Sequence, residues 1–387
     1  MSIDLFAYNF KDMPTPNQNL FTEFPPVTKA QWLAKIEKDL KGRPLSDLDW
    51  QEIPPLSINP FVHADDFTEQ PEPILDNRSA NTWEISEDIE VTDFAVANKQ
   101  TLAALMAGVN APRFVFDAYP TENELIKLLE NVELDYISTH FQLKTENQSP
   151  LSFLKSFKQI AGEKAAELNG AIHYDPFAEG RHDVKALTEL IHWASENLPL
   201  FTVITVNAER FYQNTAGVVS ELSNALSAGE NYLKQLTDNG LTIDKIQNCI
   251  AFRFQIGSSY FVEIAKLRAF KLLWGNVLSA YHALPTTPCL FAFTSPIKRH
   301  EDVNIHKIQA TTEAMSAVIG GIETLTVAPS EASDFGRRIA RNVQHLLSME
   351  SYLDRVADPS AGSYYIEKLT EQLAEAAWRE FQKLENK

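Results

Sequence analysis

From Thr92 onward the apolar positions switch repeatedly between two spacings. Leu102, Leu105, Met106 and Val109 recur at helical spacing, and the run that follows, 113–117, has the length of a strand. The exchange repeats, with further strands predicted at 134–141, 171–175, 201–207, 250–256, 289–294 and 323–328. Helical runs separate them, such as Leu154, Phe157, Ala161 and Leu168, or Val218, Leu222, Ala225, Gly229, Leu233 and Leu236, the latter stopped by Asn239-Gly240. The closing stretch carries two more helices, one on Phe335, Ile339, Val343 and Leu346, the other on Ile366, Leu369, Leu373, Ala377, Phe381 and Leu384. The turn Asp358-Pro359-Ser360-Ala361-Gly362-Ser363 divides them and leaves 355–357 as the place for an eighth strand.

Eight strands, each followed by a helix, make the count of a closed (β/α)8 TIM barrel. A doubly wound open sheet shares the alternation, but its usual glycine-rich first turn is missing: neither GxGxxG nor GxxxxGK[ST] occurs. The barrel is assigned to residues 86–387. Residues 1–85 read as an extended N-terminal arm, rich in Pro, Asp and Asn and broken at Lys41-Gly42-Arg43-Pro44, Ile53-Pro54-Pro55 and Pro71-Glu72-Pro73. Its one helix opens on the capping-box pattern Thr28-Lys29-Ala30-Gln31 and carries Trp32, Leu33, Ile36 and Leu40. An arm of this composition cannot bury Phe24, Trp32, Phe61, Phe67 and Trp83 within itself, so it is expected to lie over the outside of the barrel and onto a partner.

Composition narrows the function. With 52 acidic against 34 basic residues the formal net charge is −18, which disfavours nucleic acid and anionic membrane surfaces as partners. The two cysteines, Cys249 and Cys289, lie far apart in apolar runs, as in a reducing compartment. No basic, apolar leader opens the chain and no apolar run approaches the roughly 20 residues of a membrane span, so the expected location is cytoplasmic.

Strands buried on both faces should be apolar throughout, yet several of these alternate. With Phe252, Phe254 and Ile256 turned to the helices, Arg253 and Gln255 face the barrel axis; with Ile204 and Val206 outward, Thr205 and Asn207 face it too. His173, Ser138, His140, Thr324 and Thr326 add to a polar interior. Two readings stay open: a channel for a long polar ligand, or a hydrogen-bonded core. His140 and His173 lack metal-ligand spacing, and no Ser or Cys sits in a nucleophile elbow.

Three stretches carry a resemblance. Phe261-Val262-Glu263-Ile264-Ala265-Lys266-Leu267-Arg268-Ala269, Arg338-Ile339-Ala340-Arg341-Asn342-Val343-Gln344 and Asp358-Pro359-Ser360-Ala361-Gly362-Ser363-Tyr364 resemble signatures of the methylmalonyl-CoA mutase family, supported by Glu313-Ala314-Met315 and Gly320-Gly321. The resemblance implies a barrel whose axis takes the pantetheine arm of an acyl-CoA, capped in the family by adenosylcobalamin for the radical interconversion of methylmalonyl-CoA and succinyl-CoA. Departures from the catalytic pattern are equally specific. Phe211-Tyr212-Gln213-Asn214-Thr215-Ala216-Gly217 has Tyr212 where active subunits carry a histidine, and Thr294-Ser295-Pro296-Ile297-Lys298-Arg299-His300 replaces their Gln-Thr-Ser-Gly-Trp loop. The N-terminal run around Arg-Pro-Trp-Thr-Ile-Arg-Gln-Tyr is absent, Trp83-Glu84-Ile85 standing there instead.

None of the nine histidines follows an Asp by two residues, so the cobalt-ligating Asp-x-His-x-x-Gly is missing, and no flavodoxin-like cobalamin-binding domain is expected in this chain. These losses, with Phe24-Pro25-Pro26 before a Trp-bearing helix, resemble the small, non-catalytic subunit of heterodimeric mutases. The expectation is therefore a chain with no catalytic residue, metal ligand or cofactor of its own, partnered by a larger homologous catalytic subunit. His173, Thr205, Asn207, Tyr212, Arg253 and Gln255 are its candidate substrate-contacting residues along the axis and mouth. The alternative is an independently active barrel enzyme on an acyl-CoA or other long substrate, working through His173, Asn207 and Arg253 at the strand ends.

Overall fold

The parallel strands β1 (Glu84–Glu90), β2 (Ala111–Phe116), β3 (Ser138–Leu143), β4 (Asn169–His173), β5 (Phe201–Thr202), β6 (Ile204–Asn207), β7 (Ile250–Ile256), β8 (Cys289–Thr294) and β9 (Thr324–Thr326) form one sheet in the order β5-β4-β3-β2-β1-β9-β8-β7-β6. These come from a computed structural model that describes residues 23, 25–51, 53–69, 74, 78–144, 149–295 and 302–386. Phe24, the 71–73 Pro-Glu-Pro and the 296–300 loop lie outside the described residues.

The two ends of that order, β5 and β6, are halves of a single stave. The amides of Val203 and Ile204 both donate to the carbonyl of Cys249 at 3.0 Å, so one residue is extra at that point and the strand bends. Beyond the bend, the Thr205 amide donates to the Tyr174 carbonyl at 3.0 Å, which carries the connection from β4 across to β6. Eight staves thus close almost completely into the expected TIM barrel.

Helices α2 (Phe94–Met106), α3 (Glu122–Leu128), α4 (Leu151–Ala161), α5 (Val184–Asn197), α6 (Val218–Asp238), α7 (Ile243–Gln247), α8 (Tyr260–Ala280), α9 (Val303–Ile319), α10 (Asp334–Met349) and α11 (Tyr364–Glu385) surround the strands. Phe114, Phe116, Phe141, Ile172, Phe252, Phe254, Leu290 and Leu325 point outward into this shell and are fully buried, as the alternation required. Gly229 marks where α6 comes closest: a Cβ there would lie 2.7 Å from the Phe252 ring and 2.8 Å from Trp274. In α8 burial extends beyond one face, taking in Glu263, Lys266, Arg268 and Lys271 alongside its apolar residues.

One expected strand is corrected. Residues 355–357 form no strand but part of a turn between α10 and α11, with Val356 more than half exposed. The eighth stave is β1, at the start of the barrel, whose Glu-Ile-Ser-Glu-Asp-Ile-Glu sequence hides a strand because its axis-facing positions are polar and paired. The strand expected at 134–141 is displaced to 138–143, its first residues forming a 3-10 turn at Leu134–Tyr136.

The chain divides into two units, 1–49 and 50–387. In the first, α1 (Lys29–Leu40) has the capping box read from sequence, the Gln31 amide donating to Thr28 Oγ1 at 3.3 Å, and no α1 residue is buried. In the second, the segment before β1 is tied down by polar anchors. Asn81 donates to the Val318 and Leu353 carbonyls at 2.8 and 3.1 Å, the Ile74 amide to Asp358 at 3.1 Å, and Arg78 pairs with Glu323 at 2.6 Å.

Candidate functional site: the barrel axis and its mouth

Strand alternation places three tiers of side chains along the axis. At the N-terminal ends of the strands a cavity of about 630 Å³ is lined by Glu84, Ser138, His140, Cys289 and Thr324, among others. Thr324 donates to Glu84 at 2.8 Å and His140 Nε2 lies 3.6 Å from the same carboxylate. Burial pushes Glu84 up, but His140 outweighs it, with help from Thr324 and Ser138, and holds the carboxyl below its usual range.

The middle tier is solid. His140 Nδ1 and His173 Nε2 share a hydrogen bond of 3.1 Å, and the Phe291 ring packs against both, 5.1 and 5.3 Å between centroids. Ala171 and Ala251, fully buried, leave room for these rings. Burial, reinforced by the positive charge of Arg113 and by His140 and Arg253, holds His173 well below the ordinary histidine range, so it stays neutral. At this level the axis is filled by side chains, which favours the hydrogen-bonded-core reading of the polar interior there.

At the C-terminal ends a mouth of about 780 Å³ opens above this layer, lined by Asp88, Arg113, Glu209, Arg210, Arg253, Gln255, Phe293 and Thr326, among others. Arg113 grips Asp88 with two bonds of 2.8 and 2.6 Å and donates to Gln142 at 2.6 Å. Burial alone would raise Asp88; the Arg113 guanidinium overcomes this and lowers it. Arg253 lies over the Phe293 ring at 4.3 Å and only 3.4 Å from Glu209. Burial and the like charge of Arg113 bring it down to about 10, leaving it cationic at neutral pH.

The six candidates read from the sequence fall into different places. Arg253 and Gln255 line the mouth, Gln255 donating to Ser295 at 3.2 Å. His173 belongs to the solid tier. Thr205 donates to the Ile172 carbonyl at 3.1 Å and is committed to the strand joint. The Asn207 side chain donates to Glu209 at 3.2 Å, while its amide donates to Asp175 at 2.8 Å. Tyr212 stands apart, its ring 5.5 Å from the ammonium of Lys266. That lysine is fully buried with Glu221 at 3.1 Å and Glu263 at 2.7 Å.

Arg113, Gln142, Glu209 and Phe293 were not singled out in the sequence, and the carboxylate pair Glu87-Asp88, which reads there as solvated, is instead taken up by Arg113, Arg337 and Arg341. Arg113 and Phe293 were legible: with Phe114 and Phe116 turned outward, Arg113 must face the axis, and the same alternation applies along β8. Asp88 was hidden with the rest of β1. Among the described residues no three His, Cys, Asp or Glu side chains gather as a metal site, and no helix is long and apolar enough to cross a membrane. Among the described residues the mouth offers guanidinium donors, amides and carboxylates that bind and orient, and no nucleophile paired with a base.

Residues 117–387 match the family described as methylmalonyl-CoA mutase. The chain is 34% identical to the methylmalonyl-CoA mutase small subunit of Porphyromonas gingivalis, over 97% of this chain and 65% of that one. It is 29% identical to the small subunit of Streptomyces virginiae, over 96% and 66% of the two chains. It is 28% identical to the small subunit of Propionibacterium freudenreichii subsp. shermanii, over 97% and 64%. The chain therefore spans a little under two thirds of the length of these relatives.

Proposed function

Because the chain belongs to the methylmalonyl-CoA mutase family, we propose that it is the small subunit of a heterodimeric mutase, supporting a larger homologous subunit that interconverts methylmalonyl-CoA and succinyl-CoA. The observation that carries this reading is the 34% identity to a relative named as a small subunit, sustained over 97% of the chain. Adenosylcobalamin, which supplies the radical in the family reaction, is held by the larger subunit in this proposal. The residues present here do not fit the cofactor. Among the described residues no histidine lines the mouth, and none of the nine in the sequence follows an Asp in the cobalt-ligating pattern.

The same division of labour applies to the acyl-CoA. The tier of His140, His173 and Phe291 interrupts the axis along which a pantetheine arm would run. Arg113 and Arg253 above it are held by Asp88 and, more loosely, by Glu209. This chain then contributes a rigid, filled barrel as a docking body, in the cytoplasm, where Cys249 and Cys289 stay reduced.

Co-expression with the larger subunit tests the reading. The expected result is a stable one-to-one complex with mutase activity. The isolated chain should show no activity and no spectral shift on titration with adenosylcobalamin. Turnover of methylmalonyl-CoA by the isolated chain, or a stoichiometric cobalamin complex, would overturn it.

A further inference from the structure

The slot between α2 and α10 concentrates positive charge in a chain that carries a formal −18. It encloses about 590 Å³ and is lined by Lys99 and Gln100 from α2 and by Phe335, Arg337, Arg338 and Arg341 from α10, with Glu87 and Asp334 as its carboxylates among the described residues. Four cations face two acids. Glu87 serves two of them, pairing with Arg341 and standing 3.7 Å from Arg337, which also pairs with the exposed Asp334. Lys99 and Arg338 form no ion pair with any described carboxylate. Arg338 lies over the Phe335 ring at 5.3 Å and Lys307 approaches the same ring at 5.5 Å.

Three arginines at 337, 338 and 341, with a lysine across the gap, repel one another unless an anion sits among them. Glu87 answers part of that charge from below, and its own Oε1 has no hydrogen-bond donor. The unanswered part lies at the outer edge of the slot, where Lys99 and Arg338 are exposed to an incoming ligand. Guanidinium groups match the oxygens of phosphate in paired hydrogen bonds, and a lysine adds a mobile point charge. The slot shares Glu87, Gln100, Arg337 and Arg341 with the mouth of the barrel, so a ligand anchored in it can extend over the mouth.

We infer that the α2–α10 slot is a binding site for a multiply charged phosphate, either free or as the diphosphate of a small organic ligand. The site is independent of the subunit role argued above. Calorimetric titration of the full chain with inorganic phosphate, pyrophosphate and ADP, against succinate and adenosine as controls, tests it and distinguishes the free from the esterified source. Saturable binding of pyrophosphate or ADP, weakening steeply with added salt, is expected. The double variant Lys99→Ala, Arg338→Ala should weaken it by about tenfold or more, since each lost charged hydrogen bond is worth roughly that factor. Both side chains are exposed, so its unfolding midpoint should match that of the parent, and Arg338→Lys should retain part of the affinity. The inference is overturned by absence of saturable binding of all three phosphates, by undiminished binding in the double variant, or by succinate binding as well as pyrophosphate.

Discussion

Arg268, near the middle of α8, donates from Nη2 to both carboxylate oxygens of Glu367 in α11, each at 2.8 Å. Its other terminal nitrogen pairs with Asp358 and donates to Ser360 at 3.1 Å, so one guanidinium holds the turn 358–363 and the first turn of the final helix. All four residues are buried or nearly so. The local sequence explains the geometry: Pro359 and Gly362, with φ of 80°, fold the chain back so that Glu367 reaches the same cation as Asp358.

Removing that cation should cost more than removing a surface pair. Arg268→Ala leaves two buried carboxylates without a counter-charge, and the expected loss is about 3–5 kcal/mol of unfolding free energy. Urea unfolding followed by circular dichroism measures it. Combining Arg268→Ala with Glu367→Gln should cost less than the sum of the two single changes. Strict additivity would show that the pair is not coupled and that α11 is held by its apolar face alone.

The second buried cluster is overloaded with negative charge. Lys266 has two carboxylates, Glu221 and Glu263, within reach in a fully buried site. Burial raises Glu221 to about 7, with Lys266 pulling it down and Glu263 pushing it up. The native chain therefore binds more protons than the unfolded one between the ordinary carboxyl value of 4.5 and about 7. Stability contributed by this group should fall as pH rises through that window and level off above it. Glu221→Gln, which cannot ionise, should flatten the slope of unfolding free energy against pH there. An unchanged slope would show that Glu221 is already ionised in the native state.

His173 has the opposite sign. Its native value lies well below the ordinary 6.5, so on acidification the unfolded chain takes up a proton that the native one refuses. Its contribution is present above 6.5 and is lost progressively as pH falls below it. His173→Gln should make the protein less sensitive to acid between that pH and the carboxyl range, whatever it costs at neutral pH. If the variant and parent lose stability in parallel, His173 is protonated within the fold and its neutral state is wrong.

These clusters bear on what was legible in the chain. The barrel was readable because its shell obeys simple periods: Phe252, Phe254 and Ile256 alternate outward, and Thr28 with Gln31 forms the capping box it spells. Strand β1 was not readable, since Glu84, Ser86 and Asp88 are tolerated on the axis only through Thr324 and Arg113, partners 240 and 25 residues away. The mouth was half legible for the same reason. Alternation identifies Arg253 and Gln255 as axis-facing, but nothing local reveals that Glu209 and Phe293 are the groups that hold Arg253 there against the like charge of Arg113. Tyr212 was chosen by its place in a motif, and its ring lies over Lys266.

The last expectation concerns α1. Its apolar residues Trp32, Leu33, Ile36 and Leu40 share a helical stripe, yet none is buried in the 1–49 unit. A large apolar side chain gains roughly 1.5–3 kcal/mol when fully buried, so a stripe whose tryptophan and leucines are each only partly buried has burial left to gain on docking. The proposed larger subunit would supply that surface. The 50–387 unit carries its own anchors in Arg78, Asn81 and the bridge between Trp50 and Ile58, so deletion of residues 1–49 should leave the barrel folded, with an unfolding midpoint close to that of the full chain. The same deletion should abolish co-purification with the larger subunit. Substituting Trp32→Ala alone should weaken the complex by about 2 kcal/mol or more, as truncation of an interface tryptophan does. A truncated chain that still co-purifies in full yield would show that α1 is not the coupling element and would move the interface onto the barrel itself.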